Sequence, residues 1–273
     1  VNNNAGTKAL TGPELRTIFL GMDQKRDELL HSSVKGKNPF KDVRVRKAFY
    51  QAIDRDAIRD KVMRGLSSPT PLLISPLLFS RADEFKRWPY DPEASKALLA
   101  EAGYGDGFSV AMDCPNDRYV NDEAICQTMA AFLARVGIKI ELNAQPKAQY
   151  FAKVLASNGY DTSFYLLGWT PGSFDSWNVL TNITGCRDDK GVGGPFNLGG
   201  YCNPKVDELS AKILVENDAT KRDALIAEAF AILREDVSHI PLHQQSLAWG
   251  VSDKVSLVQR ADNQFLFRWV VKK

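Results

Sequence analysis

The sequence has little of several features that would place the chain in a specialised class. No apolar run approaches the roughly 18 residues that a membrane-spanning helix needs, and the best candidate, residues 71–79, is short and proline-rich. Neither sign of charge dominates, because 35 basic residues face 33 acidic ones for a formal net charge of +2. No basic stripe stands out, which argues against nucleic acid as a partner. No secretory signal precedes Val1, as expected for a mature or trimmed chain and equally for a cytoplasmic one.

Cysteine is also scarce. The four cysteines, Cys114, Cys126, Cys186 and Cys202, are separated by 12, 60 and 16 positions and include no CxxC pair. This spacing argues against a zinc site. An even count with two loop-sized spacings suits two local disulfides in an oxidising compartment. Four reduced, partly buried thiols in the cytosol are the alternative.

Motifs for catalysis are missing as well. No GxSxG segment occurs, and residues 171–175 are the nearest approach to one. The glycines at 191–194 are followed by neither GK[ST] nor an apolar helix, so they do not form a phosphate-binding loop. Acidic pairs such as Asp188-Asp189 lie in loops or helix caps, where solvation or capping explains them. We therefore predict that the chain is not an enzyme.

Two histidines, His239 and His243, have the i, i+4 spacing of metal ligands on one helix face. Pro241 lies between them and excludes a helix interior. On a strand this spacing separates the Cα atoms by about 13 Å, too far for one ion. The sequence therefore predicts no metal site here.

What the chain does contain is an α/β pattern. Of its 273 residues, 44% are hydrophobic and 25% charged, as in a globular α/β protein with a sizeable core. Residues 108–114 alternate as a strand, 124–136 form an apolar helix face ending at Gly137, and 138–142 alternate again. This is a βαβ unit, which predicts two parallel strands. Further helices are predicted near 42–53, 91–103, 147–156, 203–213 and 220–235, and further strands at 162–169, 240–249, 255–260 and 265–271. Between Pro171 and Cys202 we expect a long glycine-rich loop, of a length usually functional or disordered.

Two loops lie where a ligand cleft is expected. Residues 114–119 follow one strand and residues 168–172 follow another, and ligands of open α/β sheets bind at the carboxyl ends of strands. Trp169 offers a flat surface and one N–H donor, and Arg118 could pair with a ligand carboxylate. Hydrogen bonds to the backbone polar groups of a ligand could come from Asn116, Thr170 and Asn197. The alternatives are a tryptophan in the core and an arginine in a surface ion pair.

Ten short segments, spread from about Leu15 to Trp269, resemble the peptide/nickel-type (family 5) solute-binding proteins of ABC importers. The first are Asn-Pro-Phe at 38–40, Asp-Val-Arg-Val-Arg-Lys-Ala at 42–48 and Ala-Ile-Asp-Arg at 52–55. The others lie at 90–92, 97–103, 137–140, 168–170, 201–204, 206–209 and 240–242. Together they are specific for the family and not for a ligand.

The resemblance implies a fold, a function and a location. The fold expected is lobe II, the C-terminal lobe, of a type II periplasmic binding protein, with a mixed sheet flanked by helices. We expect a hinge-entry segment at 1–20, the α/β lobe at 21–246, and a return segment at 247–273 that normally packs on a first lobe. An oligopeptide or related small solute would bind between the lobes and pass to ABC permease subunits in the inner membrane. The whole protein would be a periplasmic monomer without cofactor or metal.

One departure from the family concerns the ligand. Dipeptide- and oligopeptide-binding members carry an aspartate shortly after the Gly-Trp-Thr-like motif, and it anchors the α-ammonium group of the ligand. The best-aligned residue here is Gly172, and Asp175 matches a following Asp-Pro-type position. Asp175 could substitute if the loop bends differently. Otherwise the ligand would be a modified peptide, an opine-like compound or another amphipathic small molecule.

The resemblance also bears on the cysteines and on competing functions. Export implies the pairs Cys114–Cys126 and Cys186–Cys202. Two other functions stay open at the level of sequence. One is an α/β-class hydrolase or transferase with an unrecognised active site, and the other is a ligand-sensing module.

Overall fold

A six-stranded mixed sheet organises the computed structural model of the protein, which describes residues 4–188 and 193–273. The strand order is β2-β6-β1-β5-β3-β4. Strand β3 runs parallel to β4 and β5, whereas β1 runs antiparallel to β5 and β6, and β2 antiparallel to β6. The strands are β1 (Thr7–Met22), β2 (Ser67–Pro69), β3 (Phe108–Pro115), β4 (Ile138–Gln145), β5 (Phe164–Trp169) and β6 (Ile240–Ser252). A separate two-stranded sheet pairs β7 (Val255–Ser256) with β8 (Val271–Lys272).

Helices cover both faces of this sheet. They are α1 (Val43–Gln51), α2 (Arg55–Ala57), α3 (Pro92–Glu101), α4 (Asp122–Ala134), α5 (Lys147–Val154), α6 (Ser176–Asn182), α7 (Pro204–Val215) and α8 (Ala219–Glu235). Aspartate caps explain where several begin: Asp42 accepts the N–H of Arg44, and Asp91 accepts that of Ala94. Such caps satisfy backbone donors that have no partner inside the helix. Within the part of the chain that is described, no helix is long and apolar enough to cross a membrane.

The hydrophobic core has two halves, one on each face of the sheet. Ile18, Leu20 and Met22 of β1 point into one half with α1, α3 and α4, whereas Phe19 points into the other, which α5 to α8 cover. These side chains are almost fully buried. Each contributes about 1.5–3 kcal/mol through burial. The family resemblance predicted an α/β fold with a mixed, helix-flanked sheet, and the structure confirms it.

The predicted βαβ unit is present as β3, α4 and β4. The two strands pair in parallel from Phe108↔Ile138 to Pro115↔Gln145. A disulfide between Cys114 and Cys126 ties the end of β3 to α4. The second disulfide joins Cys186 to Cys202. Both pairs are those that the resemblance implied.

Strand β1 corrects one expectation, because residues 7–22 were not predicted as a strand. Its inner half, residues 17–22, is buried on both faces, so its apolar residues run on without the alternation of a half-exposed strand. Its outer half is polar and contains Pro13. The boundaries expected at 20/21 and 246/247 fall inside β1 and β6. The division of the chain into segments stays a proposal.

The structure also differs from the prediction in the glycine-rich loop and in the strands near the C-terminus. The segment between Pro171 and Cys202 contains helix α6, and it was predicted as loop throughout. Of that glycine-rich loop, residues 189–192, including Gly191, lie outside the described residues, as do residues 1–3. The strands predicted at 255–260 and 265–271 are reduced to two-residue β7 and β8, with a 3₁₀ turn at Phe267–Trp269 between them. Strand β6 runs three residues further than predicted, to Ser252.

Candidate functional site

The two loops predicted to form a cleft meet through Tyr119. Strands β3 and β5 are parallel neighbours, so their carboxyl ends lie at one edge of the sheet. Tyr119, in the loop after β3, packs over Gly168 near the end of β5 and donates its hydroxyl hydrogen bond to the Gly168 carbonyl at 3.4 Å. A Cβ on Gly168 would lie 2.7 Å from the Tyr119 ring and 2.7 Å from Ile18. Glycine at 168 therefore permits the close contact that joins the loops.

A bulge in β1 brings further polar side chains to this edge. Pro13 pairs with Ser246 and Thr17 with Gln244, so residues 14–16 of β1 face the single residue Gln245 of β6. Bulges of this kind redirect side chains. Here Glu14 is buried and accepts hydrogen bonds from Arg16 Nε at 3.2 Å and from the Gln245 amide. The bulge therefore places a charged pair beside Tyr119.

An open depression of about 480 Å³ lies between these elements. Its lining combines charged, amide and aromatic side chains from the β1 bulge, the loop after β3, and β6: Glu14, Arg16, Asp117, Arg118, Tyr119, Gln245 and Trp249. The volume is in the range of small-molecule sites. Of the seven side chains predicted to bind ligand, Arg118 alone lines this depression.

Arg118 and Arg16 both rest on the Tyr119 ring. The guanidinium carbon of Arg118 lies 5.0 Å from the ring centroid, and that of Arg16 lies 5.7 Å from it. These distances are within the range of cation–π attraction. Burial raises the pKa of Tyr119, which keeps the phenol neutral. The predicted surface ion pair for Arg118 is not seen, because no carboxylate lies within 4.0 Å of its guanidinium among residues 4–188 and 193–273.

Part of the Trp169 side chain is used in contacts within the protein. Its indole N–H donates to Asn178 Oδ1 at 2.9 Å, and its ring packs on Phe196 with centroids 4.8 Å apart. The N–H donor is thus used within the lobe, and the partly exposed ring is what a ligand could contact. The neighbouring Thr170 hydroxyl is buried and has no hydrogen-bond partner in the described part of the chain.

The two positions considered for an amine anchor behave differently. Gly172 is exposed, and a Cβ there would meet no atom within 4 Å. Asp175 caps α6 by accepting the N–H of Trp177, and both its oxygens accept from Arg222 at 2.8 Å. Burial by itself would raise the pKa of Asp175, but the hydrogen bonds from Arg222 and Trp177 hold that pKa below its usual value. The Asp175 carboxylate is therefore engaged by the lobe itself.

The two predicted asparagines lie apart. Asn116 is exposed in the loop after β3, where its backbone N–H bonds to the Gln145 carbonyl. Asn197 is fully buried: its amide group donates to the carbonyls of Gly185 and Tyr201, and its oxygen accepts the N–H of Tyr201. These bonds hold the glycine-rich loop together. Asn197 therefore has a structural role, and we do not carry it into the ligand site.

The histidines have no metal-binding geometry. His239 lies just before β6 and His243 lies within it. Both are buried, and burial lowers the pKa of His239 to about 3 and that of His243 to about 4. Both rings are thus neutral at pH 7. Over the described ranges, no group of three or more histidine, cysteine, aspartate or glutamate side chains could hold a metal ion.

The sequence reasoning missed Glu14, Arg16, Gln245 and Trp249. These residues reach the site only because β1 bulges and pairs with β6, more than 220 positions away in sequence. A local signal did exist. Pro13 inside an otherwise strand-like segment indicates a bulge or an edge.

Comparison with known proteins gives a consistent result. Residues 1–191 match the model of a family described as bacterial extracellular solute-binding proteins, family 5 Middle. A di/tripeptide-binding protein of Pseudomonas aeruginosa is 28% identical over 221 residues, which cover 78% of this chain and 39% of that protein. A glutathione-binding protein of Escherichia coli K12 is 28% identical over 213 residues, covering 77% of this chain and 41% of the relative. These relatives are binding proteins and not enzymes.

A solved structure shares the fold. The periplasmic binding protein DppA of Helicobacter pylori, in complex with the peptide STSA, superposes with a TM-score of 0.84 at 19% identity. The alignment covers 99% of this chain and 50% of that one. The chain thus spans half or less of the length of each of these three proteins. It belongs to the family 5 bacterial extracellular solute-binding proteins.

Proposed function

We propose that this chain forms one lobe of an extracytoplasmic receptor that binds a peptide or related small solute and delivers it to the permease of an ABC importer. The whole receptor is a periplasmic monomer, and it acts by binding without chemistry. Family membership supports the class of protein. The observation that carries the site is the guanidinium of Arg118, which has no carboxylate partner among the described residues and rests on Tyr119 beyond the carboxyl end of β3.

The geometry suits an extended acidic ligand. Arg118 offers up to five N–H donors in a planar fork that fits a carboxylate. The exposed part of the Trp169 ring offers an apolar surface at the neighbouring strand end. Between them, Tyr119 and the end of β5 form a rigid floor, because the ring is packed against Gly168. A second lobe closing over this edge would enclose the solute.

The experiment is to purify the full-length receptor from its native periplasm and to identify the co-purifying solute by mass spectrometry. We expect one small solute in stoichiometric amount, released by denaturation and chemically unchanged on rebinding. Rebinding to the Arg118→Gln variant should be at least tenfold weaker, because a charged hydrogen bond contributes about 1.5–3 kcal/mol. Arg44, paired with Asp42 on α1, provides the matched control Arg44→Gln, which should bind normally.

Two results would count against the proposal. Conversion of the solute into a product would favour the enzyme alternative. A receptor that purifies and rebinds no solute under any condition would contradict the binding function itself. Delivery is tested separately by reconstituting the receptor with its permease in vesicles and measuring solute uptake.

A further inference from the structure

The depression contains two guanidinium groups and two carboxylates, those of Glu14 and Asp117. Glu14 uses one oxygen for Arg16 Nε and the other for the Gln245 amide. Asp117 accepts the backbone N–H of Lys147 at 2.6 Å. Buried Glu14 is thus bonded at both oxygens, whereas exposed Asp117 is bonded, among the described residues, at Oδ1 only.

The two arginines, by contrast, have unused donors. Only Nε of Arg16 is bonded to Glu14, and its two terminal nitrogens have no acceptor among residues 4–188 and 193–273. The Arg16 side chain keeps 14% of its surface exposed, at the wall of the depression. The Arg118 guanidinium likewise lacks a protein acceptor within the described ranges. Donors thus outnumber free acceptors on this surface.

The arrangement of these donors is specific. Tyr119 holds both guanidiniums on its ring, at 5.7 Å for Arg16 and 5.0 Å for Arg118. The loop that could have supplied an opposing carboxylate does not, because residue 172 is glycine and Asp175 is held by Arg222 at both oxygens. The depression is therefore built to receive negative charge at two points, and neither Gly172 nor Asp175 offers a partner for an ammonium group.

We infer that the solute carries two acidic groups and that Arg16 binds the second of them. This inference rests on the proposed function and specifies its substrate class. Arg118 receives one acid and Arg16 the other, with Tyr119 fixing their separation. Arg16 then determines specificity between mono- and diacidic solutes.

The test uses calorimetry on the full-length receptor with two probes that differ by one acid, N-acetyl-Ala-Glu and N-acetyl-Ala-Gln. We expect the diacid to bind at least tenfold more tightly. In Arg16→Gln the two affinities should become equal within about twofold, while Arg16→Lys should keep part of the preference. Arg44→Gln is the matched control and should keep the full preference. Equal affinities in the wild type, or an undiminished preference in folded Arg16→Gln, would overturn the inference.

Two further measurements keep the outcome decisive. Since Arg16→Gln leaves Glu14 buried without its ion-pair partner, the double variant Glu14→Gln/Arg16→Gln serves if the single one does not fold. If neither probe binds, the solute that co-purifies with the receptor is used instead. A co-purified solute with fewer than two acidic groups would overturn the inference and leave the proposed function unaffected. A co-purified solute with two acidic groups supports the inference only if this solute binds at least tenfold more weakly to Arg16→Gln. A receptor that binds no solute at all refutes the proposed function as well.

Discussion

At the residue scale, the site depends on which charges the lobe has already used. Asp175 is the residue that the family resemblance offered as a substitute amine anchor, yet its carboxylate is held by Arg222 and the cap of α6. The guanidinium of Arg118, by contrast, has no acceptor in the described chain, so its donors are available to a ligand. These two ionisable residues therefore differ in what they offer a ligand, because Asp175 is paired and Arg118 has no partner in the described chain.

Gly172 gives a gain-of-function prediction at this scale. A Cβ at this position meets nothing within 4 Å, so an aspartate fits without moving the backbone. We expect Gly172→Asp to create an amine anchor, because a charged hydrogen bond contributes about 1.5–3 kcal/mol. In the wild type, Ala-Glu and N-acetyl-Ala-Glu should bind within about threefold of each other. In Gly172→Asp, calorimetry should show the free amine binding at least tenfold more tightly.

The control for this prediction is Gly172→Asn, which has the same size without the charge. It should behave as the wild type does. A wild-type receptor whose tight binding vanishes on acetylation would show that an ammonium is already recognised. Asp175→Asn would then reveal whether Asp175 is that partner.

At the element scale, the site depends on how the end of β5 packs against the loop after β3. Gly168 has no space for a side chain, because a Cβ would lie 2.7 Å from both Tyr119 and Ile18. We expect Gly168→Ala to lower the free energy of unfolding by about 1–3 kcal/mol, the usual cost of overpacking. It should also displace Tyr119 and weaken solute binding. Urea denaturation and calorimetry measure the two effects.

Gly172→Ala, four positions along the same segment, is the matched control. It should change the free energy of unfolding by less than about 0.5 kcal/mol, as most exposed substitutions do. If Gly168→Ala is as harmless as Gly172→Ala, the loops are not held together by this contact.

At the scale of the whole molecule, two buried histidines link stability to pH. In the unfolded chain a histidine has a pKa near 6.5, whereas burial lowers the pKa of His239 to about 3 and that of His243 to about 4. The unfolded state therefore binds more protons as the pH falls below 6.5. The stability present above pH 6.5 should be lost at about 1.4 kcal/mol per pH unit for each histidine.

Urea denaturation at pH 6 and pH 5 checks this prediction. Between these values we expect the wild type to lose about 2.4 kcal/mol from the two histidines. His243→Gln should halve that loss, and His239→Asn/His243→Gln should nearly abolish it. A double variant with the wild-type slope would show that other groups control the acid response. The lowered pKa of Asp175 acts only below about pH 4 and does not interfere.

Elements with strong local signals could be predicted well. The βαβ unit was predicted because alternating apolar residues mark its strands and a continuous apolar face marks α4. Helix α1 was predicted from its aspartate cap and apolar spacing, and helix α3 from its aspartate cap, its first-turn proline and Gly103 at its end. Helix α6 was missed because it has seven residues inside a segment dominated by glycine and asparagine. Strand β1 was missed because its buried half does not alternate and its outer half is polar.

The sequence by itself determined the α/β class and the family, because these follow from periodicity, caps and short motifs. It also predicted a site at the strand ends, which stays a prediction. Only the tertiary structure decided which side chains are free to bind. Asn197 and Asp175 were candidates in sequence, and distant partners use up their polar atoms. Arg16 and Gln245 were not candidates, and a bulge and a β1–β6 pairing bring them to Tyr119. The reason is physical: whether a polar group can meet a ligand depends on its hydrogen-bond partners, and those come from residues far away in the chain.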